Sequence, residues 1–265
     1  ILALVSKPSF DPNQLAVHNT QKVIDRYHEL LDAKNDPLVD KAIAGDLYYP
    51  GSTFKLIVAS AALESGKYTA SSTLPNPAHL QLPQSNSVIH NDDGRACGPG
   101  SKVSIADALR LSCNIPFAEL GRELGYQAIT DEAAKYGFGD ESIGIPMSVT
   151  PSQYPQTASD AETMLSAFGQ ASVRVTPLEM AMVSAAIGNG GTMMRPTLVK
   201  QITAPDLSVL KPFDSSVYGT PISQQTAHAI TVMMVADVST GIASNARIEG
   251  IDVAGKTGTS QNGEC

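Results

Sequence analysis

The chain contains no run of 18 or more apolar residues, so no segment is fit to span a bilayer as a helix. It also lacks a dense Lys/Arg cluster and carries a formal net charge of -8 at pH 7. Nucleic acid is therefore not a main partner, because neutralising phosphates takes grouped cations. Cysteine is scarce: Cys97, Cys113 and Cys265 only. There is no C-x-x-C pair and no histidine at ligand spacing near them, which argues against a structural zinc site. The five histidines, His18, His28, His79, His90 and His228, show no metal spacing either and read as surface or loop residues. Nothing in the sequence calls for a metal or a cofactor. Cys113 has two readings, a small buried residue or one half of a Cys97–Cys113 disulfide, the latter open only to a protein outside the cytosol.

What remains is ordinary globular composition, 42% hydrophobic and 17% charged over 265 residues, enough for one large domain or two subdomains sharing an interface. The chain opens without Met at Ile1-Leu2-Ala3-Leu4-Val5. That run is too short for a signal peptide and lacks the basic flank, so it predicts a buried strand and a chain that is an excised or processed piece. Helical spacing follows from about Asn19 to Asp32. Tyr49-Pro50-Gly51 breaks the chain, and from Ser52 to near Gly66 an almost wholly apolar helix is predicted, buried in the middle of the molecule. Residues 70–100 read as loops with short extended pieces. Three helices follow: one to Leu111 capped by Ser101 or Ser104, one over Ile115 to Leu124, and one over Tyr126 to Tyr136. Residues 139–160 read as irregular. Pro177 opens a helix to about Ile187, Met193 to Thr203 has strand character, Ser223 to Val238 reads as a long amphipathic helix, and Ile251 to Ala254 as a short strand. The order predicts an α+β or α/β part made from both ends of the chain, with a helical part between.

Three short patterns carry chemistry. In Ser52-Thr53-Phe54-Lys55 a helix sets the hydroxyl and the amine on one face. A serine needs a base to become a nucleophile, and a lysine in a dry site near other cations loses its proton near neutral pH. Ser208-Val209-Leu210-Lys211 has the same spacing, but among Pro205, Asp206 and Pro212 it reads as a surface accident. Ser112-Cys113-Asn114 lies at the junction of two helices, where one side chain could pass a proton and the other hold a substrate amide. By itself the pattern reads as plain helix capping, and Ser260-Gln261-Asn262 fits it too. Lys256-Thr257-Gly258 occurs once, after a predicted strand; it could grip the carboxylate of an extended peptide, with Gly258 allowing close approach. Its plain reading is a strand-end turn. Together and in this order the three are far more specific than any one.

With these residues the chain resembles the class B penicillin-binding proteins, and within them the actinobacterial type. The likeness extends to Ile1–Ser6 with Pro8–Asn13, to Tyr49–Lys55, and to Gly169-Gln170 followed by Val175–Ala181. The resemblance implies the penicillin-binding protein/serine β-lactamase-like fold, an antiparallel sheet flanked by helices plus an all-helical subdomain. It divides the transpeptidase domain into residues 1–51 and 176–265, which hold the sheet, and residues 52–175, mainly helical. It implies Ser52 as nucleophile toward the D-alanyl-D-alanine carbonyl of a peptidoglycan stem peptide and Lys55 as its base. Ser112 would relay the proton, Asn114 would bind the substrate amide, and Lys256 and Thr257 the carboxylate. The backbone N–H groups of Ser52 and Thr259 would form the oxyanion hole. β-Lactams would acylate the same serine. Implied partners are a membrane glycosyltransferase and other cell-wall synthesis proteins. The implied location is the outer face of the cytoplasmic membrane, through an N-terminal anchor and pedestal preceding Ile1. Two strands and a helix would follow Cys265.

Within the same fold the rivals are a β-lactamase and a D,D-carboxypeptidase. Class A β-lactamases use a Glu with Asn four residues on, and none of Glu132, Glu141 or Glu162 has one, which favours the transpeptidase. From another class comes a non-catalytic penicillin-sensing or scaffold domain. A pure scaffold needs no base at Lys55. A Ser-His-Asp hydrolase is disfavoured by the lack of any G-x-S-x-G.

Overall fold

A computed structural model of the chain describes residues 1–156, 158–212 and 214–260. Eight α-helices lie among them: α1 Thr20–Leu31, α2 Lys55–Glu64, α3 Ile105–Arg110, α4 Asn114–Leu124, α5 Tyr126–Lys135, α6 Asp160–Ser166, α7 Pro177–Gly188 and α8 Gln224–Thr240. Their starts are chemically marked. The side chains of Asn19, Ser104, Ser159, Thr176 and Ser223 each accept a backbone N–H of the first turn, which satisfies donors a helix otherwise leaves orphaned. Of the two caps predicted for α3, Ser104 is the one used, because Lys102–Ser104 is taken up by a strand.

The core is built around α2. Every residue from Lys55 to Ala62 is buried, and the helix packs on α4, α5 and α8, as its all-round apolar sequence predicts. Phe54, just ahead of it, stacks on Tyr154 and meets Phe138 edge-on. Ser60, a polar residue inside this core, has its Oγ 2.9 Å from Tyr136 Oη. A smaller apolar cluster of Leu82, Ile89, Ile115, Ala118, Met164 and Phe168 joins α4 to α6 and to the loops beneath them.

Among the described residues the strands are short and antiparallel, in four two-stranded ladders. Thr73–Pro75 (β1) pairs with Lys102–Ser104 (β4), and His79–Gln81 (β2) with Val88–His90 (β3). Met193–Met194 (β5) pairs with Val217–Gly219 (β8), and Ile202–Thr203 (β6) with Val209–Lys211 (β7). The α+β class is thus as predicted, while three strand expectations are corrected. Ile1–Val5 is extended without a ladder: its terminal amine donates to Thr197 O at 2.9 Å, but Leu2 and Val5 are exposed. Met193 to Thr203 holds strand only at its two ends. Ile251–Ala254 makes a single bridge, Ile251 to Ile248. A strand exists through its partner, and among the described residues the unpaired stretches of these runs have no neighbouring edge to take their backbone groups. Gly255 N instead donates to Met234 O of α8, at 3.2 Å.

Candidate active site

Two short backbone seams set the position of Ser52. Tyr48 and Val175 exchange N–H···O bonds of 2.9 and 2.8 Å, and Gly51 N donates to Gly169 O at 3.1 Å. The segment leading to α7 thereby clamps the turn that leads to α2. Gly51 has φ of 53° and Gly169 φ of 78°, left-handed conformations that glycine adopts without strain. A Cβ on Gly169 would collide with the Gly51 carbonyl, and one on Gly51 with the Thr259 carbonyl. The turn is therefore sandwiched between Gly169 and the segment after Lys256. A 3-10 turn over Gly51–Phe54 runs straight into α2, which puts Ser52 and Lys55 on one face.

Lys55 is wholly buried and Ser52 nearly so. The Lys55 amine donates to Ser52 Oγ at 2.9 Å, to Ser112 O at 2.7 Å and to Asn114 Oδ1 at 2.8 Å, with Ser112 Oγ at 3.5 Å. Burial holds its pKa well below the ordinary lysine range, and repulsion from Lys256 pushes the same way, against attraction from Asp92 and Asp237. A neutral amine has two protons and a lone pair. With the protons directed to Ser112 O and Asn114 Oδ1, the lone pair faces the Ser52 hydroxyl, which is the arrangement a general base requires.

Ser112 owes its place to the end of α3. Ser112 N donates to Leu109 O at 3.1 Å and Cys113 N to Ala108 O at 2.9 Å, the paired bonds of a Schellman ending. Ser112 occupies the left-handed position, φ 54°, where glycine is usual. Ser112 is buried, with Oγ 3.5 Å from Lys55 Nζ. Cys113 is disulfide-bonded to Cys97, sixteen residues earlier, and both are buried, so the two readings of this cysteine hold together. Asn114 opens α4. Its Nδ2 donates to His90 O and to Asp92 Oδ1, both at 3.1 Å. A substrate N–H would meet its Oδ1, while a substrate carbonyl would compete with Asp92 for the amide hydrogens.

The Lys256 side chain is 2% exposed, with Nζ 3.4 Å from Asp237 Oδ2 and 3.2 Å from Thr257 Oγ1. Burial lowers its pKa; Asp237 and Asp92 oppose that. A Cβ on Gly258 would press on Thr53 Cγ2 at 3.0 Å and Pro50 O at 3.3 Å. The absent side chain thus lets the third pattern close against the nucleophile turn. Thr259 is exposed, its backbone against Gly51.

The structure brings Ser52, Lys55, Ser112 and Asn114 into contact, with Lys256 near enough for its charge to act on Lys55. Ser208 does not join them: it is exposed in the β6–β7 hairpin and bonds Asp206 at 2.6 Å. Gln261 and Asn262 lie outside the described residues. Sequence reasoning missed Asn91 and Asp237. Asn91 Oδ1 accepts from Asn114 N and Ile115 N at 2.8 and 3.1 Å, capping α4 from a distant loop with no local signal. Asp237 had one: a lone acid in the apolar run of α8. All five histidines are exposed.

A buried serine with its lysine one turn on, a Ser-x-Asn turn and a Lys-Thr-Gly segment, on this fold, point to a penicillin-binding class of protein. The model of the penicillin binding protein transpeptidase domain matches residues 1–264, and the chain belongs to that family. It is 37% identical over 263 residues to the peptidoglycan D,D-transpeptidase PbpA of Mycolicibacterium smegmatis and 36% identical over 268 residues to that of Mycobacterium tuberculosis. Each match covers 99% of this chain and 53% of the relative, so the chain spans about half the length of these curated relatives. Penicillin-binding protein A from M. tuberculosis, solved as a ceftriaxone acyl-enzyme complex, superposes with a TM-score of 0.93 at 35% identity, over 98% of this chain and 58% of that one. The D,D-transpeptidase domain of a peptidoglycan glycosyltransferase from Eggerthella lenta gives 0.83 at 29% identity, over 97% and 63%.

Proposed function

We propose that this domain is the catalytic unit of a peptidoglycan D,D-transpeptidase. The observation that carries the reading is the Lys55 amine, bonded at once to Ser52 Oγ, Ser112 O and Asn114 Oδ1 in a buried cleft. Ser52 Oγ attacks the carbonyl carbon between two terminal D-alanines of a stem peptide, and its proton passes to Lys55 Nζ. The tetrahedral oxyanion is received by the N–H groups of Ser52 and Thr259, where one lost donor typically costs about 2.7–4 kcal/mol. The C–N bond then breaks, and the leaving D-alanine nitrogen takes the proton through Ser112 Oγ. An amine from a second stem attacks the ester, returns a proton to the Lys55–Ser112 pair, and leaves as the cross-link with Ser52 restored.

In this reading Lys256 and Thr257 hold the terminal carboxylate, Gly258 lets that wall close, and Asn114 takes the substrate amide. A β-lactam presents the same carbonyl and carboxylate and remains on Ser52. The two lobes flanking the cleft are residues 1–51 with 176–265, and residues 52–175. No helix among the described residues is long and apolar enough to cross a membrane. Work on peptidoglycan would place the domain on the outer face of the cytoplasmic membrane, tethered by an N-terminal anchor, beside a membrane glycosyltransferase. The test is intact mass after incubation with a penicillin, beside Ser52→Ala. A lasting adduct on the parent and none on the variant is the expected result. Rapid turnover of the drug would make the domain a β-lactamase, and no adduct would overturn the acyl-enzyme.

A further inference from the structure

The last turns of α8 read Val232-Met233-Met234-Val235-Ala236-Asp237-Val238, one acid in an apolar run. Asp237 is wholly buried, and a buried charge survives only with a partner. Its Oδ1 accepts from Ala243 N at 3.0 Å. Its Oδ2 has no hydrogen-bond partner and faces Lys256 Nζ at 3.4 Å, both side chains shut off from solvent. The backbone beside Lys256 is fastened to the same helix: Gly255 N donates to Met234 O at 3.2 Å, and a Cβ on Gly255 would touch Val238. The far end of α8 is seated on α3. Gly241 has no room for a side chain against the Arg110 carbonyl, and Arg110 Nη1 donates to Thr240 O at 3.0 Å. One helix therefore underlies both Lys256 and the turn that carries Ser112.

We propose that Asp237 is a positioning residue for this site, the fixed counter-ion that holds Lys256 as a cation on the wall of the cleft where a substrate carboxylate docks. The proposal rests on the transpeptidase reading above and adds to it a residue outside the three sequence patterns. The other charges facing the pair are Lys55 from α2 and Asp92 from the turn after β3. Arg110 and Arg247, near the end of α8, are occupied by the carbonyls of Thr240 and Val238. Asp237 is thus the only anion within salt-bridge distance of Lys256 among the described residues. Its negative charge opposes the effect of burial on Lys256, so removing it lets the ammonium lose its proton at lower pH.

The experiment is the second-order rate of Ser52 acylation by benzylpenicillin, a carboxylate-bearing probe, followed by intact mass between pH 6 and 10. Wild type, Asp237→Asn and Asp237→Glu are compared, with folding checked by thermal melting. In Asp237→Asn the alkaline limb moves to lower pH by about a unit or more, so the rate at pH 9 falls roughly tenfold further than the rate at pH 6.5. Asp237→Glu, which keeps the charge, moves the limb back toward wild type. Asp237→Ser, with room for water beside Lys256, carries the same expectation as Asn should the Asn variant not fold. A profile of wild-type shape in the Asn or Ser variant, lowered equally at every pH or not at all, overturns the proposal and leaves Asp237 a packing residue. A wild-type protein that forms no Ser52 adduct instead sinks the transpeptidase reading, a separate and visible failure.

Discussion

The amine of Lys55 lies 2.9 Å from the hydroxyl oxygen of Ser52, with Lys55 wholly buried and Ser52 5% exposed. As a base Lys55 acts only when neutral, and burial brings its pKa well below the ordinary range. The acylation rate should therefore rise with pH through a midpoint below the ordinary lysine value of about 10.4 and not wait for it. Lys55→Arg keeps the charge but does not give up a proton in this range, so it should lower the rate by about 10²–10⁴. Acylation of the Arg variant at the parental rate would move the base elsewhere.

Ser112 holds the left-handed position at the end of α3 with a side chain that the position does not favour. For an L-residue that conformation costs about 1–2 kcal/mol. Ser112→Gly should raise thermal stability by roughly 2–4 °C while acylation by penicillin falls, because the hydroxyl near Lys55 is gone. Stability and activity moving in opposite directions is the signature of strain kept for function. A melting temperature that drops would show that the hydroxyl contributes more to folding than the backbone strain takes away.

These two residues also show how much was legible. Ser-x-x-Lys is a local pattern on one helix, and helical geometry alone brings its ends together; the caps at Asn19, Ser104, Thr176 and Ser223 were readable for the same reason. The helix α6 was readable but missed: Ser159-Asp160-Ala161-Glu162 is a capping box, and its Ser159 cap is in place. The strands were overread, since Ile1–Val5 and Ile251–Ala254 have the right composition but no strand edge to pair with among the described residues. Asn91 lay beyond reach, because its amide serves a helix 23 residues away and only the tertiary fold brings the two together.

Gly51 and Gly169 meet through one hydrogen bond; a Cβ on Gly169 would strike the Gly51 backbone, and one on Gly51 the Thr259 backbone. Gly169→Ala should cost about 3 kcal/mol or more, combining a left-handed backbone with an overpacked contact. Penicillin acylation should fall with it as the Ser52 turn shifts. Melting in denaturant with an unchanged midpoint would mean that the seam is looser than its geometry implies.

The Cys97–Cys113 bond closes a loop that contains β4 and α3 and ends beside Ser112. On a chain-entropy account a loop of about 15 residues gives roughly 3 kcal/mol. A reductant, or Cys97→Ser with Cys113→Ser, should lower the melting temperature accordingly, with a mass gain of two hydrogen atoms when the parent is reduced. Equal melting in the presence and absence of reductant would contradict this.

Glu179 follows the Thr176 cap in the first turn of α7 and is buried, with Oε1 lacking any hydrogen-bond partner. Burial pushes its pKa up to about 8, and the charge of Asp140 adds to that. The groups around it are Asp140, the Tyr218 hydroxyl bonded to Asp140 at 2.7 Å, and Arg195 over the Tyr218 ring. In the unfolded chain a glutamate titrates near 4.3, so between about 4.3 and 8 the folded state binds more protons than the unfolded one. Stability from this group is then full below the unfolded pKa and is lost as pH rises toward the folded one, by at most about 1.4 kcal/mol per pH unit. Above it the loss is complete. Glu179→Gln keeps the shape and has no proton to lose, so its advantage over the parent should grow from pH 5 to pH 8.5. Melting curves at those two values test this. An advantage that stayed constant with pH would mean that the parent carboxyl is already ionised in the fold, with a partner for Oε1 supplied by water.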